Sequence, residues 1–109
     1  MAHIKINGAK IYYETYGEDR PNQFPILLIH GSTIDGQTDW SAIAPELARH
    51  YKVLVPDCRG HGKSNNPTLS YSFKEMAEDA AAFIHAMGYE RAHVIGHSNG
   101  GNVAVVMLM

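Results

Sequence analysis

The sequence predicts an α/β architecture: a β-hairpin followed by mostly parallel strands joined by crossover helices. Three observations carry this expectation. An Asn-Gly pair separates two alternating runs near the start, short runs apolar on both faces recur downstream, and segments of helical periodicity lie between them. Strands alternating with helices imply right-handed crossovers and a largely parallel sheet. In such a sheet, function gathers in the loops at the carboxyl ends of the strands.

The first element is the hairpin. His3–Ile6 and Lys10–Tyr16 alternate apolar and polar residues around Asn7-Gly8, and both central residues of a type I′ turn need positive φ. A loop rich in Gly, Asp, Pro and Asn follows over 17–23. Pro25-Ile26-Leu27-Leu28-Ile29 is apolar on both faces, as a strand covered by helices on each side should be. Val53-Leu54-Val55 repeats that character, and Ala92-His93-Val94-Ile95 does so more weakly.

Two helical patterns lie between these strands. Trp40–His50 is the first, with Pro45 early enough to be tolerated near a first turn. Ser72–Met87 is the second. Ser72 and Glu75 have capping-box spacing, Phe73, Met76, Ala80, Phe83, Ile84 and Met87 recur on one face, and Gly88 suits the position just past the end. Asn99–Met109 reads as a final, buried helix. The loops at the carboxyl ends of the strands are then His30–Asp39, Asp57–Pro67 and Gly96–Gly101.

Composition narrows the function. The 109 residues are 45% hydrophobic and 18% charged, which suits a single globular domain rather than a disordered chain or a two-domain enzyme. Lys and Arg number 9 against 11 for Asp and Glu, so no basic face is available to neutralise nucleic-acid phosphates. The longest apolar runs, Phe24–Ile29 and Val103–Met109, fall well short of the ~20 residues that cross a bilayer. No signal-peptide pattern opens the chain, and the lone Cys58 has no internal disulfide partner, so the expected setting is the cytoplasm. Neither a cofactor nor a metal is expected.

The most informative stretch is Val94-Ile95-Gly96-His97-Ser98-Asn99-Gly100-Gly101-Asn102. It places G-x-S-x-G directly after an apolar strand and directly before a helix, the context of a nucleophile elbow. A Cβ at Gly96 or Gly100 would crowd so sharp a turn. Ser98 would project over the sheet at the amino end of a helix, where free N–H groups favour developing negative charge. The plainer alternative is a glycine-rich turn whose serine merely caps the helix.

Leu28-Ile29-His30-Gly31-Ser32 ends the most apolar strand. A tetrahedral intermediate needs two N–H donors aimed at its oxyanion. Asn99, which follows the nucleophile, and Ser32, in this loop, are the candidates. His30, just before Gly31, suits a structural role in shaping the turn. In Asp57-Cys58-Arg59-Gly60-His61-Gly62-Lys63-Ser64, the last three residues match the end of a phosphate-binding loop. The glycine that motif requires five residues before Gly62 is Asp57 instead, and Asn65-Asn66-Pro67 follows where a helix should start. A rigid turn organised by Asp57 and Arg59 is the better reading.

In this order and spacing, His30-Gly31, Asp57-x-Arg59-Gly60-His61-Gly62-x-Ser64 and Gly96-His97-Ser98-Asn99-Gly100-Gly101 resemble the α/β-hydrolase superfamily. Within it they are most similar to the branch of esterases, perhydrolases and carbon–carbon hydrolases, and the match spans nearly the whole chain. The resemblance implies Ser98 as nucleophile and the Ser32 and Asn99 amides as oxyanion hole. It places Asp57 and Arg59 in the family's structural turn. Serine at the elbow speaks against the dehalogenase and epoxide-hydrolase branches, which use aspartate there, and against dienelactone hydrolases, which use cysteine. Cys58 lies away from the elbow and is expected to be an ordinary residue.

A serine nucleophile needs a general base, and in this fold the acid and histidine follow the serine. The eleven residues after Ser98 contain no Asp, Glu or His. Of the seven histidines, His97 is adjacent to Ser98 and should diverge from it, and His61 sits in a motif that looks structural. His30 is the nearest stand-in, while His3, His50, His85 and His93 are expected away from the site. Losing the base costs a serine protease about a millionfold in turnover. The chain is thus expected to be the amino-terminal half of a hydrolase of small ester-like substrates, nearly inactive alone. Its sheet would be open at the elbow strand, favouring a homo-oligomer or a complementary C-terminal fragment as partner. The rival expectation is a non-catalytic half-domain that assembles through that edge.

Overall fold

The computed structural model describes residues 2–67 and 72–108. Strands β1 (Ala2–Ile6) and β2 (Ala9–Tyr16) pair antiparallel around Asn7 and Gly8. Their φ angles of 48° and 84° are the two positive values that the hairpin turn requires. Strands β3 (Ile26–Ile29), β4 (Val53–Pro56) and β5 (His93–Gly96) complete a sheet ordered β1-β2-β4-β3-β5. β2 runs antiparallel to β4, and β3 runs parallel to both β4 and β5. The sheet is therefore mixed, antiparallel at the hairpin and parallel where the three loops emerge.

Every residue of β3 and β4 is buried, and the two-residue alternation sorts them onto two cores. Leu27, Ile29 and Leu54 join Ile11, Phe83 and Val103 on one face; Ile26, Leu28, Val53 and Val55 join Trp40 and Ala44 on the other. Each fully buried Leu or Ile contributes about 1.5–3 kcal/mol. Coverage of both faces explains why these strands read as unbroken apolar runs.

Helix α1 (Gly36–Trp40) and helix α2 (Ala44–Leu47) replace the single helix expected over Trp40–His50. The break has two causes. Asp35 starts α1 early, its side chain accepting the Thr38 N–H at 2.7 Å. Pro45 has no N–H for a bond to residue 41, so a second helix begins with proline in its first turn. Helix α3 (Phe73–Ala86) follows the sequence closely. The Ser72 hydroxyl accepts the Glu75 N–H at 3.1 Å, and past the end Gly88 and Tyr89 donate to the His85 and Ile84 carbonyls in a Schellman pattern.

Helix α4 (Asn99–Met107) is less buried than expected: Gly100 and Val103 are covered, but Val105 is exposed and Leu108, just beyond, is 90% exposed. Met109 lies outside the described residues. α4 packs on α3, β5 and β3, which cover only one side of an apolar helix. The two sheet edges also differ. β1 presents exposed His3 and Lys5, charged or polar groups that discourage strand addition, whereas β5 presents exposed His93 and the apolar Ile95, with no lysine.

Candidate active site

β5 ends at Gly96 and α4 begins at Asn99, leaving two residues to reverse the chain. The turn is closed by three amides: His97 N–H to Ile29 O at 3.0 Å, Gly100 N–H to His97 O at 2.9 Å and Gly101 N–H to Ser98 O at 2.9 Å. Ser98 pays locally for the sharpness, with φ 56° and ψ −119°, a conformation that costs a residue with a Cβ about 1–3 kcal/mol. A Cβ on Gly96 would strike the Gly100 carbonyl, and one on Gly100 would strike the Ile29 and His30 carbonyls, so both flanking positions exclude a side chain. Ser98 stands at the N-cap of α4 but makes no side-chain capping bond. The plainer alternative, a serine held there to cap the helix, lacks its defining contact.

The loop after β3 approaches this turn from the side. His30 is 2% exposed, and its Nε2 accepts the Cys58 N–H at 2.9 Å. The ring proton therefore sits on Nδ1, which donates to the Gly31 carbonyl at 2.6 Å. Burial holds the imidazole below its usual range, against the opposing pull of that carbonyl. With the Gly31 carbonyl held toward His30, the trans peptide turns the Ser32 N–H the opposite way. Among the described residues, no acceptor is bonded to the Ser32 or Asn99 N–H. Both residues line one cavity of about 240 Å³ with Cys58, His61, Phe73, Met76 and Val103.

Asp57 and Arg59 build the third loop. Asp57 accepts the Gly36 and Lys63 N–H groups, each at 2.9 Å, and its carbonyl accepts the Ser64 hydroxyl at 2.7 Å. Arg59 turns inward, pairing with Asp79 of α3 through Nε at 2.6 Å and Nη2 at 3.0 Å. Asn7 of the hairpin turn donates to the same Asp79 carboxylate at 3.1 Å. This loop is a brace between sheet, helix and hairpin. His61 Nδ1 lies 2.9 Å from the Arg59 carbonyl. Burial, with the Asp57 and Asp79 charges, pushes the Cys58 thiol up to about 12.

The expected site residues thus meet: Ser98 and Asn99 from the turn after β5, and His30, Gly31 and Ser32 from the turn after β3. Sequence reasoning missed Asp39. Its Oδ2 accepts the Gly31 N–H at 2.7 Å and faces His97 Nδ1 at 3.0 Å. It missed Asp79 too, the partner of Arg59. Nothing local marks either residue, since a helical Asp reads as a solvated charge until the loops fold onto it. Among the described residues, no group of three His, Cys, Asp or Glu side chains is placed to hold a metal, and no helix is long and apolar enough to cross a membrane.

A strained serine apex thus stands between a parallel strand and a helix, beside the unbonded Ser32 and Asn99 amides. The chain belongs to the alpha/beta hydrolase fold family, whose profile matches residues 25–109. It is 35% identical over 99 residues to the soluble epoxide hydrolase of Corynebacterium sp. (strain C12), covering 91% of this chain and 33% of that protein. It superposes with a TM-score of 0.86 and 36% identity on Est816, described as an N-acyl homoserine lactone degrading enzyme, covering 97% of this chain and 39% of that one. The enol-lactonase of Burkholderia xenovorans LB400 superposes with a TM-score of 0.90 at 28% identity, covering 97% and 40%. The chain spans between 33% and 40% of the length of these relatives.

Proposed function

We propose that the chain carries the nucleophile and oxyanion-binding parts of a serine hydrolase acting on carboxylic esters or related small acyl compounds. The Ser98 oxygen attacks the acyl carbon as its proton passes to a general base. The oxyanion is received by the Ser32 and Asn99 N–H groups. Collapse expels the leaving oxygen, which regains the proton, and water then releases the acid and restores Ser98. The observation that carries this reading is Ser98 itself: an exposed hydroxyl at a positive-φ apex, excused from capping its helix.

The identity of the nucleophile selects among the chemistries that similar proteins are named for. A serine that opened an epoxide or displaced a halide would end as an ether, which water does not hydrolyse. An acyl-serine is an ester and turns over. Similarity to an epoxide hydrolase therefore supports the scaffold, while the lactone-directed names of the other two relatives fit the acyl chemistry, a lactone being a cyclic ester.

The base and its acid are proposed to come from polypeptide beyond these 109 residues. His30 is committed at both ring nitrogens and so is a poor stand-in. The β5 edge is the proposed docking side for that polypeptide: Ile95 is exposed on one face of the sheet, and on the other Val94 lines a recess with Val105 and Leu108 at the uncovered side of α4. The second reading, a non-catalytic half-domain that assembles through the same edge, is favoured by the same exposed apolar surface.

The test is labelling by a fluorophosphonate and turnover of an activated ester, for the wild type and Ser98→Ala, with and without a complementary C-terminal polypeptide. The expected result is slow labelling at Ser98 alone, negligible turnover, and a large gain on complementation. Absence of Ser98 labelling in both settings removes the hydrolase reading and leaves the half-domain. Fast Ser98-dependent turnover by the 109 residues alone overturns the missing base.

A further inference from the structure

We infer that Asp39 is a positioning residue for the oxyanion hole, tying the loop after β3 to the turn after β5 and so setting the spacing of the Ser32 and Asn99 amides. The inference rests on the assignment of Ser98, Ser32 and Asn99 made above. An oxyanion is held well only when both donors lie within about 2.7–3.1 Å of one atom. Here the donors belong to two loops far apart in sequence, so something has to register one against the other.

A single oxygen does so. Asp39 Oδ2 accepts the Gly31 N–H at 2.7 Å and meets His97 Nδ1 at 3.0 Å. Gly31 immediately precedes Ser32, and its carbonyl is already held by His30, so this residue is gripped at both its polar groups. His97 immediately precedes Ser98, and its own N–H is bound to the Ile29 carbonyl. The tie is short because the loops touch: a Cβ on Gly31 would lie 3.4 Å from His97 Nδ1 and 3.5 Å from Ser98 Cβ.

Asp39 is itself well anchored. It sits in α1 beside buried Trp40, and α1 is fastened to the brace loop by the Gly36 N–H on Asp57 Oδ1. Its side chain is 11% exposed while the His97 ring is 62% exposed, so the carboxylate is the fixed end of the tie. Burial disfavours its charge, but the Gly31 amide and His97 outweigh burial and hold the carboxyl below its usual range. The group is therefore an anion near neutral pH and can accept from both donors at once.

The experiment measures phosphonylation of Ser98 in the 109-residue chain by a fluorophosphonate and by its thiono analogue. A P=S sulfur is a weak hydrogen-bond acceptor, so the P=O over P=S rate ratio reports the oxyanion hole rather than the fold. Asp39→Ala is expected to slow the P=O reagent about 10–100-fold, the scale of a displaced rather than a lost donor, and to collapse the ratio. Asp39→Asn, which keeps an acceptor for Gly31, is expected to recover most of it. If Asp39→Ala does not fold, His97→Ala decides, since it leaves the Gly31 bond and cuts only the link to the elbow. An unchanged ratio in these variants, with wild-type Ser98 labelled, overturns the inference alone. No labelling of wild-type Ser98 overturns the nucleophile assignment and this inference with it.

Discussion

Arg59 holds Asp79 in a bidentate grip, Nε to Oδ2 at 2.6 Å and Nη2 to Oδ1 at 3.0 Å, and thereby fastens the loop after β4 to the middle of α3. Both side chains are nearly buried, at 3% and 10% exposure. The hairpin joins through Asn7, so one carboxylate links three segments that are distant in sequence.

Removing Asp79 takes the bidentate partner from a buried guanidinium and leaves it the more distant Glu75 carboxylate, 3.6 Å away, and the Asn66 side chain at 3.3 Å. Asp79→Ala is expected to cost about 3–5 kcal/mol in urea unfolding, while the double replacement Arg59→Met with Asp79→Leu should recover most of that loss. A double variant as unstable as the single one would show that the pair does more than cancel its own charges.

Ser98 carries backbone strain for its position, and glycine would relieve it. Ser98→Gly is expected to raise stability by about 1 kcal/mol, since φ 56° and ψ −119° lie in a region glycine adopts freely. The same variant should abolish fluorophosphonate labelling. A thermal scan beside a labelling gel checks both; a lower midpoint would mean that the turn is not strained.

Buried His30 makes stability depend on pH in a stated direction. Its folded pKa lies below the ordinary histidine value of 6.5, so below that pH the unfolded chain takes up a proton that the native state refuses. Its contribution is therefore complete above 6.5 and is lost as pH falls from there toward the folded value. The urea midpoint should drop across this window with a slope of at most about 1.4 kcal/mol per pH unit from this one group. His30→Asn should flatten it. Asp35 and Asp39, whose folded values lie below 3.8, act in a separate window, their stabilisation lost only as pH falls beneath that value.

Cys58 is only partly covered, but its raised pKa should make it a poorly reactive thiol. With the folded group near 12 against a reference of 9.0, its thiolate is scarce at pH 8. Alkylation by iodoacetamide is expected to run on the order of a thousandfold slower in the native protein than in urea. Comparable rates in the two states would mean that the fold does not raise the thiol's pKa.

Much of the fold was legible in order. Asn7-Gly8 specifies its own turn, Ser72 and Gly88 mark the ends of α3, and the doubly apolar runs of β3 and β4 follow from helices on both faces. The errors have local physical causes. Asp35 capped a helix one turn earlier than the apolar pattern suggested, and Pro45 divided what periodicity had joined. For α4, the apolar pattern implied burial, but one layer of neighbours covers only one side.

The candidate site was legible to a similar depth and for a similar reason. Gly96, Ser98 and Gly100 announce a turn because steric exclusion at short range acts on the backbone of the very residues that encode it. His30, Gly31 and Ser32 follow a strand end, which the same short-range pattern locates. Asp39 and Asp79 carry no such mark. Their roles arise when α1 and α3 bring a carboxylate to amides and cations from other loops, and only at those distances does their charge become specific. Local sterics and periodicity thus determined where the chain turns and which residues crown the sheet; long-range hydrogen bonding, present only in the folded chain, decided what holds those turns in register.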